Sequence, residues 1–166
     1  EELFAAVKRK YPYIFSNEER IRLDNRVLAY IVGELQRFSL LQTEADAKGA
    51  AYEQLVGANL RGDRGEFFTP RNVCGMAVAM AFSTYPREKW TQLDVLDPAC
   101  GTGGFLVEVM NLWHAYLYER ELGKWGDEGK AAQRAADLLR EISNAHLFGI
   151  DFNPLLVRAA QMNLVM

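Results

Sequence analysis

The stretch that most constrains the fold of this chain is Asp97-Pro98-Ala99-Cys100-Gly101-Thr102-Gly103-Gly104-Phe105. An apolar run over 93–97 precedes it and predicts a short strand that ends at Asp97. Glycines let the backbone turn sharply and let a ligand approach without a Cβ in the way. A helix is predicted from Phe105, and the N–H groups at its start favour an anionic group. With Asp97 as a fixed acceptor beside it, the turn suits a ligand that bears both a carboxylate and an ammonium group.

Three alternative roles fit this turn less well. A dinucleotide-binding loop needs Gly-x-Gly-x-x-Gly, but Leu106 stands at the third glycine when the count starts from Gly101. That loop also expects an acid about 20 residues later, whereas Asp151 lies much further along. A Walker-type phosphate loop would need Gly-Lys followed by Ser or Thr, which does not occur. A purely structural turn would account for one or two glycines, but not for three after a strand-ending Asp-Pro.

Further strands and helices are predicted on both sides of this turn. Thr69 and Pro70 predict a helix start, with Thr as the N-cap and Pro at the first helical position. Helices are predicted over 105–122 and 131–142, a second strand over 146–151, and a last helix from Asn153-Pro154. Strand, helices, strand and helix predict the beginning of a parallel, helix-covered sheet. In such a sheet, the acid that ends the second strand lies across the same crevice as the glycine turn.

The first 60 or so residues predict helices in which no chemistry is visible. Ser16 and Glu19 have the spacing of a capping box. One apolar face is predicted to follow, formed by Ile21, Val27, Leu28, Ile31, Val32 and Leu35. Another helix is predicted over 45–59. The sequence thus predicts a helical region over 1–60 and an incomplete second domain over 61–166.

Composition limits the classes of protein to which the chain can belong. It is 49% hydrophobic and 25% charged, as in ordinary globular proteins. The net charge of −3 lacks the basic excess of a protein that grips many phosphates, so any hold on DNA must come mostly from elsewhere. No signal peptide and no apolar run long enough for a bilayer occur, so no membrane association is expected. Two cysteines and two histidines at unrelated spacings predict no metal site and no disulfide, which favours a cytoplasmic setting. The chain begins at Glu1 and stops inside an apolar, helix-like run, so we expect it to be a piece of a longer protein.

Three motifs in order resemble those of the amino-methyltransferases. Residues 97–106 resemble motif I. Residues 65–71, Gly-Glu-Phe-Phe-Thr-Pro-Arg, resemble motif X, located before motif I as in the gamma-ordered adenine methylases. Residues 149–154, with 159–164 behind them, resemble motif II and its helix. The chain is therefore similar, from about residue 52 onward, to N6-adenine DNA methyltransferases, above all to the modification subunit of type I restriction–modification systems.

The resemblance implies a fold and a cofactor. The fold is the start of a Rossmann-like α/β sheet, preceded by an all-helical region, and the cofactor is S-adenosyl-L-methionine. The methionine end of the cofactor is expected against Glu66, Phe67, Phe68, Thr69, Pro70 and Arg71. Its amino and carboxylate groups are expected in a loop with Asp97 at the base, formed by Ala99, Cys100, Gly101, Thr102 and Gly103.

The same resemblance implies that Asp151 accepts hydrogen bonds from the ribose hydroxyls and that Phe152 flanks the adenine ring. Each role has a plainer alternative. The two phenylalanines of motif X could be core residues, and Asp151 could only cap a helix. Cys100 is expected to be a small residue that the loop accommodates, rather than a catalytic thiol.

Adenine methylases of this class use a loop of Asn or Asp, two prolines and an aromatic residue, which binds the flipped base. None of the five prolines here adjoins another, and Asn153-Pro154 is followed by Leu155 and Leu156. We therefore assign no catalytic residue, and expect this chain alone to be inactive and to bind cofactor weakly at most. Two strands are also fewer than half of the seven in such enzymes. The apolar faces of the last strand and the last helix would then be uncovered, which favours a homodimer or aggregation.

The leading hypothesis is that the full-length protein methylates adenine N6 in DNA, together with a specificity subunit and, in some systems, a restriction subunit. A second hypothesis is a helical assembly module in which residues 1–60 dock a specificity subunit or a second copy of the chain. A third is a methylase that acts on RNA or on a protein glutamine. A nuclease has no support, because no carboxylates cluster with a lysine in the sequence.

Overall fold

The computed structural model of the chain describes residues 2–37 and 69–165. The N-terminal part contains α1 (Glu2–Lys10) and α2 (Asn25–Leu35). The second part contains, in order, α3 (Arg71–Phe82), a 3-10 helix (Arg87–Gln92), β1 (Val95–Asp97), α4 (Gly104–Trp125), α5 (Glu128–His146), β2 (Leu147–Gly149) and α6 (Pro154–Val165). The described residues are thus mostly helical around a two-stranded parallel sheet, in agreement with the expected order of strands and helices.

The two strands pair in parallel, with Val95 opposite Leu147 and Asp97 opposite Gly149. Ile150 N donates to Asp97 O at 2.9 Å, which continues the pairing past the end of β2. Both strands are shorter than predicted. One step before Val95 and Leu147 in this register come Asp94 and His146, but His146 is the last residue of α5. These two residues therefore meet only through their side chains, with His146 Nδ1 2.7 Å from Asp94 Oδ1.

Among the described residues, one face of the sheet packs against a core, whereas the apolar side chains on its other face are exposed. Val95 and Leu147 pack against a core formed by α3 and α4, whose buried members are Val78, Phe82, Val109 and Trp113. Successive residues of a strand point to opposite faces. Leu96 and Phe148 accordingly point away from this core, and both are exposed. The exposed apolar face of β2 agrees with the prediction that the last strand is left uncovered. The same prediction for the last helix differs from the structure, because α6 buries Leu156 and three other residues.

The N-terminal helices differ from the prediction. The capping box at Ser16 is wrong, because α2 begins only at Asn25, where the Asp24 side chain accepts from Arg26 N at 2.8 Å. An acceptor closer to the apolar run satisfies the free N–H groups of the first turn, so the helix begins there. The apolar face of α2 exists but contains no buried residue. The helix predicted over 45–59 lies outside the described residues.

Other helix ends also differ from the prediction, among them that of α5, which runs to His146 although the predicted helix ends at residue 142. Pro70 is the N-cap of α3, one residue later than expected, and its carbonyl accepts from Val73 N and Cys74 N. α4 passes through Gly123 and ends at Gly126, whose φ of 61° is left-handed. A single glycine inside a helix costs only about 1 kcal/mol, whereas a left-handed glycine ends it. Asp127 then caps α5 by accepting from Lys130 N at 2.9 Å, so α5 begins earlier than predicted.

Candidate functional site

The loop between β1 and α4 depends on two glycines with left-handed backbone. Gly101 has a φ of 54° and Gly103 a φ of 85°, a region that other residues rarely adopt. Gly103 N donates to Cys100 O at 2.7 Å and closes a tight turn. Gly103 is also the N-cap of α4, where it offers no capping side chain. The loop therefore places the start of α4 close to the end of β1, and its two glycines contribute no side chains between them.

The glycines of this region differ in what surrounds them. A Cβ at Gly103 would lie 3.3 Å from Ala160 Cβ of α6. A Cβ at Gly149 would lie 2.8 Å from Leu106 Cδ1 and 3.1 Å from Cys100 Sγ. At Gly101, by contrast, a Cβ would meet none of the described residues within 4 Å. Gly103 and Gly149 thus allow close packing underneath the loop, while Gly101 faces its open side.

Asp151 reaches the loop from the end of β2. Its Oδ2 accepts from Gly101 N at 2.9 Å, and its Oδ1 accepts from Asn153 N at 2.8 Å. Because β1 and β2 are parallel and in register at Asp97 and Gly149, their following residues meet at the same edge of the sheet. The structure therefore brings together the two segments that the sequence predicts to share a crevice.

One carboxylate oxygen of Asp97 has no hydrogen-bond donor among the described residues. Oδ1 accepts from Ala99 N at 3.1 Å. Oδ2 is buried, yet it accepts no hydrogen bond from any residue that the structure describes. A buried acceptor without a donor is unfavourable, more so when it carries charge. A ligand group that donates hydrogen bonds or carries positive charge would remove this cost.

Cys100 is buried, and the charges of both carboxylates act on its thiol. Burial raises the pKa of its thiol, and the negative charges of Asp97 and Asp151 raise it further. The thiol therefore stays protonated at neutral pH, which is the opposite of what a nucleophilic cysteine needs. The same two charges favour a cation on the open side of the loop.

The described residues of motif X lie beside the start of α4. Arg71 Nη1 donates to Gly104 O at 3.2 Å, and Cys74 Sγ would be 3.3 Å from a Cβ at Gly104. Thr69 and Pro70 are exposed nearby in sequence. Glu66, Phe67 and Phe68 lie outside the described residues. Phe152 is 80% exposed directly after Asp151, so the described residues leave its ring available for contact.

Sequence reasoning missed one residue under the loop. Asn163 of α6 donates from Nδ2 to Thr102 O at 2.9 Å, and both residues are buried. The signal that could have found it is a polar amide within the otherwise apolar face of the last helix, since buried amides almost always have a partner.

Neither a metal site nor a membrane span occurs in the described part of the chain. No group of three or more His, Cys, Asp or Glu residues is arranged to hold a metal ion within residues 2–37 and 69–165. None of the helices described is long and apolar enough to cross a membrane. A cavity of about 660 Å³ lies between the end of α1, the residues just after it, α4, α5 and α6, but it includes none of the residues predicted to form the site.

Comparison with known proteins decides the family. The family model described as N-6 DNA Methylase matches residues 43–166, more than half of the chain. The chain belongs to the N-6 DNA methylase family. A curated relative, the methylase subunit of the type I restriction enzyme MpnII of Mycoplasma pneumoniae, is 35% identical over 82 residues. That match spans 48% of this chain and only 14% of the relative's length. No solved structure gives a significant match.

Proposed function

We propose that this chain is the S-adenosyl-L-methionine-binding part of a longer N6-adenine DNA methyltransferase, the modification subunit of a type I restriction–modification system. The observation that carries the proposal is the contact between Asp151 Oδ2 and Gly101 N at 2.9 Å in a chain of the N-6 DNA methylase family. It joins the acid after β2 to the glycine loop after β1. The family generally uses S-adenosyl-L-methionine, which fits a site between those two segments.

The amino-acid end of the cofactor fits the residues around Asp97. Its ammonium group would donate to the buried Asp97 Oδ2, which otherwise has no donor among the described residues. Its carboxylate would lie along the loop 99–103 near the N-terminus of α4, where the helix dipole favours negative charge. Gly101 leaves the open side of the loop free of a Cβ. Thr69, Pro70 and Arg71, with Glu66, Phe67 and Phe68 before them, would complete this end of the site.

The nucleoside end fits the residues after β2. Each Asp151 oxygen already accepts one backbone hydrogen bond, and a carboxylate has about four acceptor positions in all. Two positions thus remain for the ribose hydroxyls. The exposed Phe152 ring would flank the adenine. Asp151 would therefore hold the loop and the ribose at the same time.

The bound cofactor would supply a methyl group on a positively charged sulfur, and this chain would bind and orient it. Holding reactants in position can account for much of an enzyme's rate enhancement. The residues that bind the target base would lie in another part of the longer protein, because this sequence has no Asn/Asp-Pro-Pro-aromatic loop. We therefore assign no catalytic residue within the chain.

The proposed fold of the longer protein is a Rossmann-like sheet that begins with β1 and β2. The exposed Leu96, Phe148 and Ile150 support this, since they provide an apolar strand face for further layers to cover. We also propose that the chain consists of a helical region over 1–60 and an incomplete methyltransferase domain over 61–166. The two parts touch in the structure, because Arg158 Nη2 of α6 lies 2.7 Å from Glu19 Oε1.

The proposed partners are DNA, a specificity subunit and a restriction subunit, in the cytoplasm. The relative's name, a methylase subunit of a type I restriction enzyme, supports a subunit within a larger assembly. The net charge of −3 also supports it, because the hold on the DNA phosphates would then come from other parts of the assembly.

The cofactor assignment is tested by replacing Asp97 with asparagine in the full-length protein. Asp97→Asn keeps an oxygen for Ala99 N but replaces Oδ2, which has no donor among the described residues, by an amide nitrogen. Binding of S-adenosylhomocysteine, measured by calorimetry, should weaken about 10-fold or more, as expected for loss of a hydrogen bond between charged groups. Asp137→Asn, at a half-buried position on α5 that takes no part in the site, is the matched control and should bind as the wild type does.

A wild-type protein that does not bind S-adenosylhomocysteine would refute the cofactor assignment. Equal binding by Asp97→Asn and the wild type would refute the role of Asp97 alone. Methyl transfer by the full-length protein to DNA that contains adenine, compared with RNA, then tests the substrate. Transfer to RNA only would contradict the DNA assignment.

A role in assembly is supported separately by α2. Its apolar residues Val27, Ile31, Val32 and Leu35 are each at least 36% exposed, an arrangement that favours a protein partner. Val32→Asp should therefore reduce the complex of the full-length protein with its specificity subunit, or a homodimer, in light scattering. Glu34→Gln on the same helix is the control, and an equal loss in both variants would contradict a specific apolar contact.

A further inference from the structure

Two side chains of the segment that follows β2 form hydrogen bonds with the glycine loop, in addition to the backbone oxygen of Ile150, which accepts from Cys100 N at 2.9 Å. Asp151 accepts from Gly101 N at 2.9 Å, and Asn163 Nδ2 donates to Thr102 O at 2.9 Å. Thr102 is 3% exposed and Asn163 is 9% exposed, so the second contact is shielded from water. The partners of the second contact are 61 residues apart in sequence. Helix α6 therefore holds the loop from below, while Asp151 holds it from the side of the crevice.

The Asn163 contact holds one end of a peptide unit whose other end is also held. The carbonyl of Thr102 accepts from Asn163, and the N–H of the same peptide unit, on Gly103, donates to Cys100 O at 2.7 Å. Because a peptide unit is planar, two hydrogen bonds at its opposite ends determine its orientation. The glycines on either side of Thr102 have left-handed φ values, and glycine itself restricts the backbone least. The side chain of Asn163 thus supplies a constraint that the loop residues lack.

Helix α6 also restricts the loop sterically. Ala160 lies three residues before Asn163, so the two share one face of the helix. Ala160 Cβ would be only 3.3 Å from a Cβ at Gly103. A small residue and a hydrogen-bond donor on one helix face therefore meet two consecutive loop residues, Gly103 and Thr102. Packing and hydrogen bonding agree in where they hold the loop.

We propose that Asn163 is a positioning residue for the amino-acid end of the cofactor. It acts through the peptide unit between Thr102 and Gly103, and it does not itself touch the ligand. The inference rests on the proposed function, because it assumes that the loop receives the carboxylate and ammonium groups of S-adenosyl-L-methionine. Without the amide donor, the Thr102 carbonyl is buried with one partner fewer, and the loop loses the orientation that suits those groups.

Two ligands distinguish positioning from a general effect on folding. S-adenosylhomocysteine carries the amino-acid end, whereas 5′-methylthioadenosine has the same nucleoside without it. A variant that merely reduces the folded fraction lowers the apparent affinity for both ligands by the same factor. A variant that disorders the loop changes the ratio of the two affinities. This ratio is therefore the readout.

The test uses Asn163→Leu in the full-length protein, which removes the donor and keeps four side-chain heavy atoms in the same branched arrangement. Binding of S-adenosylhomocysteine should weaken about 10-fold, which corresponds to about 1.4 kcal/mol. Binding of 5′-methylthioadenosine should change less than about 3-fold. Val109→Ala, in the core away from the loop, is the control and should weaken both ligands by equal factors.

A second variant keeps the test valid if Asn163→Leu does not fold. Asn163→Asp is isosteric, and its carboxylate cannot donate to Thr102 O. As the pH falls and the carboxyl group becomes protonated, it regains a donor, so the affinity ratio should return toward the wild-type value. An unchanged ratio in the folded variants would overturn the positioning role while leaving the cofactor site intact. A wild-type protein that binds neither ligand would instead overturn the proposed function.

Discussion

Replacing Gly103 with alanine should destabilise the protein for two separable reasons. The first is the backbone, because a φ of 85° lies in the left-handed region, where a residue with a Cβ loses about 1–2 kcal/mol. The second is crowding, because the new Cβ would lie 3.3 Å from Ala160 Cβ and 3.5 Å from Ala160 Cα. Ala160 is buried, and its backbone belongs to α6, so it cannot swing aside as the end of a long side chain could. Overpacking of this kind costs about 1–3 kcal/mol.

Gly126→Ala is the matched control. Gly126 also has a left-handed φ, of 61°, but a Cβ there would meet none of the described residues within 4 Å. Both substitutions reduce the conformational freedom of the unfolded chain equally, so that contribution cancels in the comparison. We expect a loss of about 1–2 kcal/mol for Gly126→Ala and about 2–5 kcal/mol for Gly103→Ala.

Equilibrium unfolding in urea measures both variants against the wild type. The difference between them, rather than either value alone, reports the contact between the loop and α6. If Gly103→Ala were no more destabilising than Gly126→Ala, the close approach of Gly103 and Ala160 would be wrong. Helix α6 would then not be the support beneath the loop.

Three further predictions concern the loop and the end of α4. Gly101→Ala should cost about as much stability as Gly126→Ala, about 1–2 kcal/mol. Only Gly101→Ala should weaken S-adenosylhomocysteine binding in calorimetry, because its Cβ enters the open side of the loop. Equal affinities of the two variants would contradict this prediction. Hydrogen bonds from Lys124, and further ones from Arg120 and Trp125, lower the pKa of buried Glu121 below its usual value of 4.5, although burial opposes them. A carboxyl group whose pKa is lower in the folded than in the unfolded protein stabilises the folded state at pH values above its unfolded pKa. The loss of stability in Glu121→Gln should therefore be present at pH 7 and shrink as the pH falls below 4.5. A loss of stability that does not depend on pH, measured by thermal unfolding, would refute this prediction. Alkylation of Cys100 at pH 8, followed by mass spectrometry, should be at least about tenfold slower in the folded than in the unfolded protein, since burial and two carboxylates keep the thiol protonated.

The sequence was sufficient for the features that depend on neighbouring residues. The strand ending at Asp97, the glycine turn and the helix behind it are present, because left-handed turns require glycine and the strand is bounded by an Asp-Pro pair. The parallel pairing of the two strands also followed, since a strand, a helical connection and another strand favour that arrangement. The ligand roles of Asp97, Asp151 and the other site residues stay predictions.

Several helix ends could not be predicted, because neighbouring signals competed. The Ser16 and Glu19 pair has the spacing of a capping box, yet the nearer Asp24 caps α2. Gly123 resembles a helix end, yet only Gly126 adopts the left-handed conformation that ends α4. In both cases two residues of suitable type compete, eight positions apart for Ser16 and Asp24 and three positions apart for Gly123 and Gly126. The choice between them depends on differences of about 1 kcal/mol, which the packing of the whole helix decides.

What the sequence alone determined is therefore where the backbone turns and which acids end the strands. Only the tertiary structure decided that Asp151 holds Gly101, that Asn163 holds Thr102, and that Asp97 Oδ2 is buried without a donor among the described residues. The physical reason is distance along the chain. The first two contacts join residues 50 and 61 positions apart. The Asp151 contact forms once β2 pairs with β1, and the Asn163 contact forms once α6 packs beneath the loop. Local propensity carries no information about that packing, which results from many weak apolar contacts acting together.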